Sequence, residues 1–332
     1  MALRHGFAPG LCLATLLGTG GLAARGEAAE APLYVRNLSP VAGLFGLPAQ
    51  RSAQVAEPGS WSVDLHTIVA SHYVRDSRVA ERLKLDGETH RLALELRYAF
   101  ARDWELQLEL PWVAQDSGFL DSTIDNWHDL WGMSDNGRDE VPRDLLDYRY
   151  RASGARFALG DEGSGLGDLS LALQRSVYRG EGLELALALG YKFGTGDAGD
   201  FTGSGEGDVY LALRLSGAEL GTLPLSWHAQ AGYLRAGQVE MLGSRQQRDL
   251  WFAGASLAWR VTPGWSLIGQ FDAHAAPLDS DLDALGSTAM ILSGGLRWHV
   301  SPDWAVDLAV IEDVAVETAP DVIFQLDLRY RP

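Results

Sequence analysis

The stretch Trp104-Glu-Leu-Gln-Leu-Glu-Leu-Pro-Trp112 decides the fold. Leu106, Leu108, Leu110 and Trp112 fall on one side of it, and Glu105, Gln107 and Glu109 on the other. A period of two is the mark of a β-strand with one apolar and one polar face. Immediately before it, the turn Ala101-Arg102-Asp103 follows a second alternating run that ends in Phe100. The arrangement recurs twice. Thr262-Pro263-Gly264-Trp265 follows a run through Trp259, and Ser301-Pro302-Asp303-Trp304 follows a run through Trp298. Aromatic rings on both sides of a short turn suit a hairpin at a membrane–water interface, where amphipathic rings settle at headgroup depth.

Working outward, the same alternation appears along most of the chain. Trp61, Val63, Leu65, Thr67 and Val69 share one face; Leu92, Leu94, Leu96, Tyr98 and Phe100 share another. Further runs begin near Gly167, Leu183, Gly207, Leu223, Leu250, Trp265, Ala289, Trp304 and Val322. With the run from Trp104 this makes about twelve strands, an even number as a single-chain bacterial barrel requires. Short connections fall near Arg102, Gly180, Ala218, Pro263 and Pro302. Longer ones fall near Val79, from Asp121 to Glu162, and near Asp200, Gln238, Asp281 and Glu317. Short turns on one side and long loops on the other are the outer-membrane pattern. The expected fold is an all-β, up-and-down antiparallel transmembrane barrel with a short helix in a long outer loop. A soluble lipocalin-like barrel or sandwich shows the same alternation, but its strands average about five or six residues.

Composition fits this reading. The 332 residues carry a formal net charge of −17, with 38 glycines and 11 tryptophans. Nucleic acid is excluded as a partner, since phosphate binding needs a basic footprint. Mean hydropathy is −0.06, as expected where polar and apolar residues alternate. Arg4 and His5 precede an apolar stretch from Phe7 to Leu22, then Ala23, Ala24, Gly26, Ala28 and Ala29, so residues 1–29 read as a signal peptide. Cys12 is the sole cysteine, which leaves the rest of the chain without disulfide or thiolate chemistry. Residues 30–60 lack alternation and contain Pro40, Pro48 and Pro58; they are expected to be a periplasmic segment or to tuck into the barrel. Residues 61–332 are the barrel.

The girdle tryptophans acquire an orientation from the loops. Trp104, Trp259, Trp265, Trp298 and Trp304 belong to the short-turn, periplasmic side, and Trp112 and Trp251 to the outer side. The alternating polar residues, among them Arg91, Glu95, Arg97, Glu105, Glu109, Arg214, His228, Arg260, Arg297 and Asp327, should face the lumen. Their signs are mixed, so they either pair across neighbouring strands or form a selectivity lining. In the long loop, Phe119, Leu120, Ile124, Trp127, Leu130 and Trp131 recur at helical spacing. That makes Asp121, Asp125, Trp127, His128 and Trp131 candidates for a pore constriction, or else parts of a packed external loop cap with no gating role.

A repeat links Gly163–Gln174 to Gly203–Arg214, each with Gly-x-Gly-Asp where a long loop re-enters a strand. Asp168 and Asp208 can accept backbone N–H bonds there. Acidic groups at Asp279, Asp281 and Asp283, and at Asp197, Asp200, Glu206 and Asp208, lack the twelve-residue calcium-loop pattern. His66, His228, His274 and His299 are scattered, and none has a serine placed for a lipid-facing nucleophilic dyad. No enzyme activity and no cofactor are expected.

Several stretches resemble a known family. Pro32-Leu-Tyr-Val-Arg-Asn-Leu-Ser-Pro40, Leu44-Phe-Gly-Leu-Pro48, the loop from Gly118 to Gly132 and Gly165-Leu-Gly-Asp168 are similar to the bacterial family called domain of unknown function 3187. The resemblance covers nearly the whole chain after the signal. It implies an outer-membrane β-barrel and carries over no catalytic residue. The function expected from these readings is a narrow, porin-like channel for small solutes. The alternatives are a plugged structural or interaction barrel and, behind it, a lipid-acting enzyme. Its expected surroundings are outer-membrane lipid and lipopolysaccharide, with the barrel-assembly machinery acting during insertion.

Overall fold

The computed structural model describes residues 29–118, 145–180, 182–220, 223–314 and 318–332. Twelve long strands carry the architecture: β1 (Trp61–Ser77), β2 (Arg82–Ala101), β3 (Trp104–Asp116), β7 (Ser170–Gly180), β8 (Leu183–Lys192), β9 (Asp208–Leu220), β10 (Leu223–Arg235), β11 (Asp249–Thr262), β12 (Trp265–His274), β13 (Ala289–His299), β14 (Trp304–Asp313) and β15 (Val322–Tyr330). Each pairs antiparallel with its neighbour, and β1 pairs with β15 from Val63↔Tyr330 to Ser71↔Val322. The sheet is therefore a closed up-and-down barrel without a free edge around its wall.

The period-two pattern sorts the wall as the sequence implies. Along β1, Asp64, His66 and Ile68 are buried inside, while Trp61 and Thr67 are exposed outside. The exterior is a continuous apolar surface that includes Leu92, Leu187, Leu211, Leu257, Leu292 and Leu326, each at least 42 % exposed. An exposed belt of this extent is foreign to a water-soluble monomer and is what a hydrocarbon slab requires. No described helix is long and apolar enough to cross a membrane.

All seven assigned tryptophans point outward. Trp265 stacks on Trp298 at 5.7 Å, and Arg175 lies over the Trp104 ring at 5.1 Å. Tyr330 packs against both Trp304, at 4.4 Å, and Trp61, at 5.5 Å. The last strand thus places its aromatic in the turn-side girdle, although the chain itself ends in Arg331-Pro332.

Three features depart from the sequence expectation. The connection near Val79 is not a long loop but a tight turn, with Arg78 and Glu81 bonded to each other through their backbones. The length resides in β1 and β2, of 17 and 20 residues, which rise beyond the wall. Within the stretch read as one loop, β4 (Tyr148–Ala152) and β5 (Ala155–Leu159) form a hairpin added to the top of β2; just after that stretch, β6 (Gly163–Leu166) pairs with β3. A single helical turn at Asp283–Gly286 lies in the β12–β13 connection. The loop helix expected over 121–132 falls outside the described residues, as do Asp121, Asp125, Trp127, His128 and Trp131.

Candidate functional site: a strap through the lumen

A barrel of eight strands is filled by its own side chains, and one of twelve is not. Here the extra space is taken by residues 30–55, which pass through the interior twice. The first pass begins beside the short turns, where the Glu30 amide donates to Ser226 and its carboxylate meets Arg260, Ser266, Arg297 and His299. It rises past Gln270, which accepts from the Leu33 amide, to Asn37, which donates to the Thr318 carbonyl. A 3-10 turn at Ala42–Leu44 reverses the chain near the loop end, where Lys192 donates to the Leu44 carbonyl and Asp208 accepts from the Gly46 amide. The second pass descends past Gln230, Asp272 and Glu95, reached by the Pro48 carbonyl, Gln50 and Arg51 respectively. Near the short turns Ser216 accepts from the Ala53 amide and Arg179 donates to the Val55 carbonyl, and the chain then leads into β1.

Both apolar and polar contacts hold this strap. Leu33, Tyr34, Val35, Leu38 and Ala49 pack with Ile68, Ile268, Ile291, Ile311 and Ile323 of the wall. Val41, Leu44 and Phe45 join a second cluster near the outer mouth, built with Tyr148, Tyr150, Phe157, Phe201, Leu242, Leu282 and Leu285. That cluster draws on the β4–β5 hairpin, the 240–245 turn and the Asp283–Gly286 turn, so the top of the strap is roofed by the outer connections. Burying one such aliphatic side chain is worth roughly 1.5–3 kcal/mol.

All ten residues assigned to the lumen do face inward, and the structure groups them. Arg297 bridges Glu30 at 2.9 Å and Asp307 at 2.7 Å, and Arg329 shares Asp307 at 2.7 Å. Arg51 pairs with Glu95, its guanidinium 5.0 Å above the Tyr34 ring. Tyr34 in turn stacks on His66 at 3.8 Å, and His66 reaches Asp327 at 2.9 Å. Glu109 receives both Arg91 and Arg36, at 2.5 and 3.2 Å. Arg97 pairs with Asp64 at 3.1 Å, Gln107 donates to Glu105, and Arg214 joins Gln107 and Gln174. Some pairs therefore link neighbouring strands, and others tie the wall to the strap. Burial alone would raise the Glu30 carboxyl. The His299 hydrogen bond and the charges of Arg297, His299 and Arg260 outweigh it and hold the group far below the usual carboxylate range.

His228 does find a serine: its Nδ1 lies 2.7 Å from Ser216 Oγ. Both side chains are buried in the lumen, the other ring nitrogen meets the Glu30 carbonyl, and Ser216 also holds the strap amide of Ala53. The pair anchors both ends of the strap. The repeated Gly-x-Gly-Asp motifs also converge. Asp168 accepts from the Gly196 and Ser204 amides, Asp208 from the Gly46 and Gly237 amides, and Lys192 reaches both carboxylates. Of the acidic loop residues, Asp197 accepts the Gly199 amide within its own loop, and Asp283 faces Arg78.

Sequence reasoning gave the strap no residue-level role. Arg36, Asn37, Gln50 and Arg51 lie on a segment without periodicity. A faint signal was present in the wall: a Cβ at Gly295 would stand 2.8 Å from a Leu33 methyl, and one at Gly254 would stand 2.4 Å from Gln50 Nε2. Glycine inside a strand marks a place where another segment approaches closely.

The family model described as protein of unknown function DUF3187 matches residues 23–331, and the chain belongs to that family. No curated protein matches it. Among solved structures, an outer membrane channel from Pseudomonas putida F1 is 17 % identical, with a TM-score of 0.54 over 84 % of this chain and 97 % of that one. The NanC porin is 8 % identical, with a TM-score of 0.47 over 82 % and 100 %. The Ralstonia pickettii toluene transporter TbuX is 10 % identical, with a TM-score of 0.41 over 84 % and 91 %. The likeness to the Pseudomonas channel is one of fold. A closed antiparallel barrel with an apolar outer wall belongs to the Gram-negative outer membrane, and the protein is a barrel of that membrane.

Proposed function

We propose that this family member is a narrow outer-membrane channel for small solutes whose bore is set by residues 30–55. The observation that carries this reading is the double pass of the strap through a lumen too wide to be filled by wall side chains alone. Two cavities of about 40 Å³ flank it, each room for no more than a few waters. One is lined by Arg36, Arg51, Glu95, Glu109 and Arg214, so the solutes admitted are small and polar. That the barrel from Pseudomonas putida is a channel agrees with the reading. The surrounding partners are outer-membrane lipid and lipopolysaccharide, and insertion is by the barrel-assembly machinery.

A closed structural barrel is the competing reading, favoured by the apolar roof of Tyr148, Phe157 and Phe201 over the outer mouth. Planar-bilayer recordings separate the two. The channel reading expects small discrete conductance steps from the intact protein and several-fold larger ones after deletion of residues 31–54. Silent bilayers from both proteins, each shown to be folded by its heat-dependent gel shift, would sink it.

A further inference from the structure

The outward side of the upper ends of β2 and β3 carries a cluster that the lumen does not use, with Glu88 buried and His90 and Asp116 half-buried. The register places Leu92 opposite Trp112, His90 opposite Ala114, and Glu88 opposite Asp116. Leu92 and Trp112 are exposed on the outer wall. Because the strand period is two, Glu88, His90 and Asp116 stand on that same side, one and two pairs nearer the outer mouth.

We propose that Glu88, His90 and Asp116 form a binding site for a first-row divalent cation of the zinc type. Three arguments converge on it. The first is geometric. Each residue offers one ligand atom, and the three atoms lie within 4.8 Å of one another. His90 Nε2 is 3.5 Å from a Glu88 carboxylate oxygen and 3.2 Å from one of Asp116. Ligands about 2.0–2.2 Å from a tetrahedral ion lie roughly 3.4 Å apart, so an ion fits with little movement. The second is electrostatic. Glu88 and Asp116 are a directly opposed cross-strand pair of like charge, and both converge on His90; a dication held by all three is attracted to both carboxylates. The third is the build of the backbone. Gly118 takes a left-handed φ of 77°, and a Cβ there would fall 2.0 Å from the Glu88 side-chain carboxyl carbon. The chain leaving β3 therefore folds tightly over this carboxylate, which is buried, and holds it in place.

The donor set selects the ion. One imidazole and two carboxylates suit zinc-type cations better than calcium, which takes six to eight oxygens. Among the described residues three protein ligands converge there, and a tetrahedral ion takes one ligand more. The bound ion would lock the upper β2–β3 hairpin, beside the point where β4 and β6 join it.

The test uses tag-free protein with Cys12→Ser, refolded in detergent and stripped with chelator. Zinc is titrated in competition with a chromophoric chelator, and thermal unfolding is followed with and without zinc. The proposal expects one equivalent bound. His90→Gln and Asp116→Asn should each weaken binding at least tenfold, and zinc should raise the Tm of the parent protein but not of His90→Gln. Both variants remain testable because the heat-dependent gel shift reports folding separately. No binding by the folded parent, or equal binding by parent and His90→Gln, would overturn the site. Neither result bears on conductance, so the channel reading stands or falls independently.

Discussion

Along β13, Met290, Leu292 and Trp298 look out on lipid, while Ile291, Ser293 and Arg297 look in on the strap. The two faces of one strand are held by different physics. Outside, any apolar side chain of suitable size serves, because lipid is a non-directional solvent. Inside, each charged group needs a particular partner at hydrogen-bond distance, and a good share of those partners lie on residues 30–55. The outer wall should therefore tolerate conservative change and the inner wall should not.

The largest effect is expected at Arg297. Its replacement by alanine leaves Glu30 and Asp307 buried with a lost counter-charge, a loss of about 3–5 kcal/mol for breaking a buried pair. Denaturant titration of the refolded barrel measures it, and a loss under about 1 kcal/mol, the range of a surface ion pair, would break the comparison. On the other face, Leu187→Arg puts a charge on the mid-strand lipid surface and should cost about 2–4 kcal/mol. Leu187→Phe should be close to neutral in the same titration. A strong penalty for phenylalanine would mean that the outer wall packs specifically against something other than lipid.

A smaller effect is expected at the start of the strap. Glu30→Gln removes charge-assisted hydrogen bonds worth about 1.5–3 kcal/mol, and it should make residues near 30 cleavable by protease in the assembled barrel. The pH dependence has a definite sign. The carboxyl is depressed below its ordinary value of 4.5, so its contribution is complete above that value and is lost only as pH falls through the depressed one. Protease resistance of the parent strap should thus stay level from neutral pH down to the ordinary carboxylate range. A transition near neutral pH would place control of the strap elsewhere.

How much of this was legible follows the same division. The twelve wall strands and the outward tryptophans could be read because period-two alternation is a local signal. Arg91 and Arg297 could be placed facing inward for the same reason. Their partners could not, since Glu30 and Arg297 are 267 residues apart in sequence and nothing local in Glu30 announces the contact. The β4–β5 hairpin was a different kind of miss. Tyr148, Tyr150, Phe157 and Leu159 alternate with arginine and alanine around Ser153-Gly154, and Gly154 takes the left-handed φ of 85° that a tight turn favours. That signal was submerged in a long connection read as a single loop. The 30–60 segment carried no alternation because it pairs with side chains from many strands, not with one ladder.

The central claim is that residues 30–55 thread the lumen twice. Ala53 and Ser216 test it most directly, since the Ala53 amide lies 2.7 Å from Ser216 Oγ. Ala53→Cys with Ser216→Cys should oxidise to an intramolecular disulfide in the membrane-inserted protein, read as a mass loss of two hydrogens on peptides joined across the barrel. Free thiols at both positions, labelled quantitatively from the aqueous phase in the folded barrel, would show that the strap lies outside the lumen and would contradict the account.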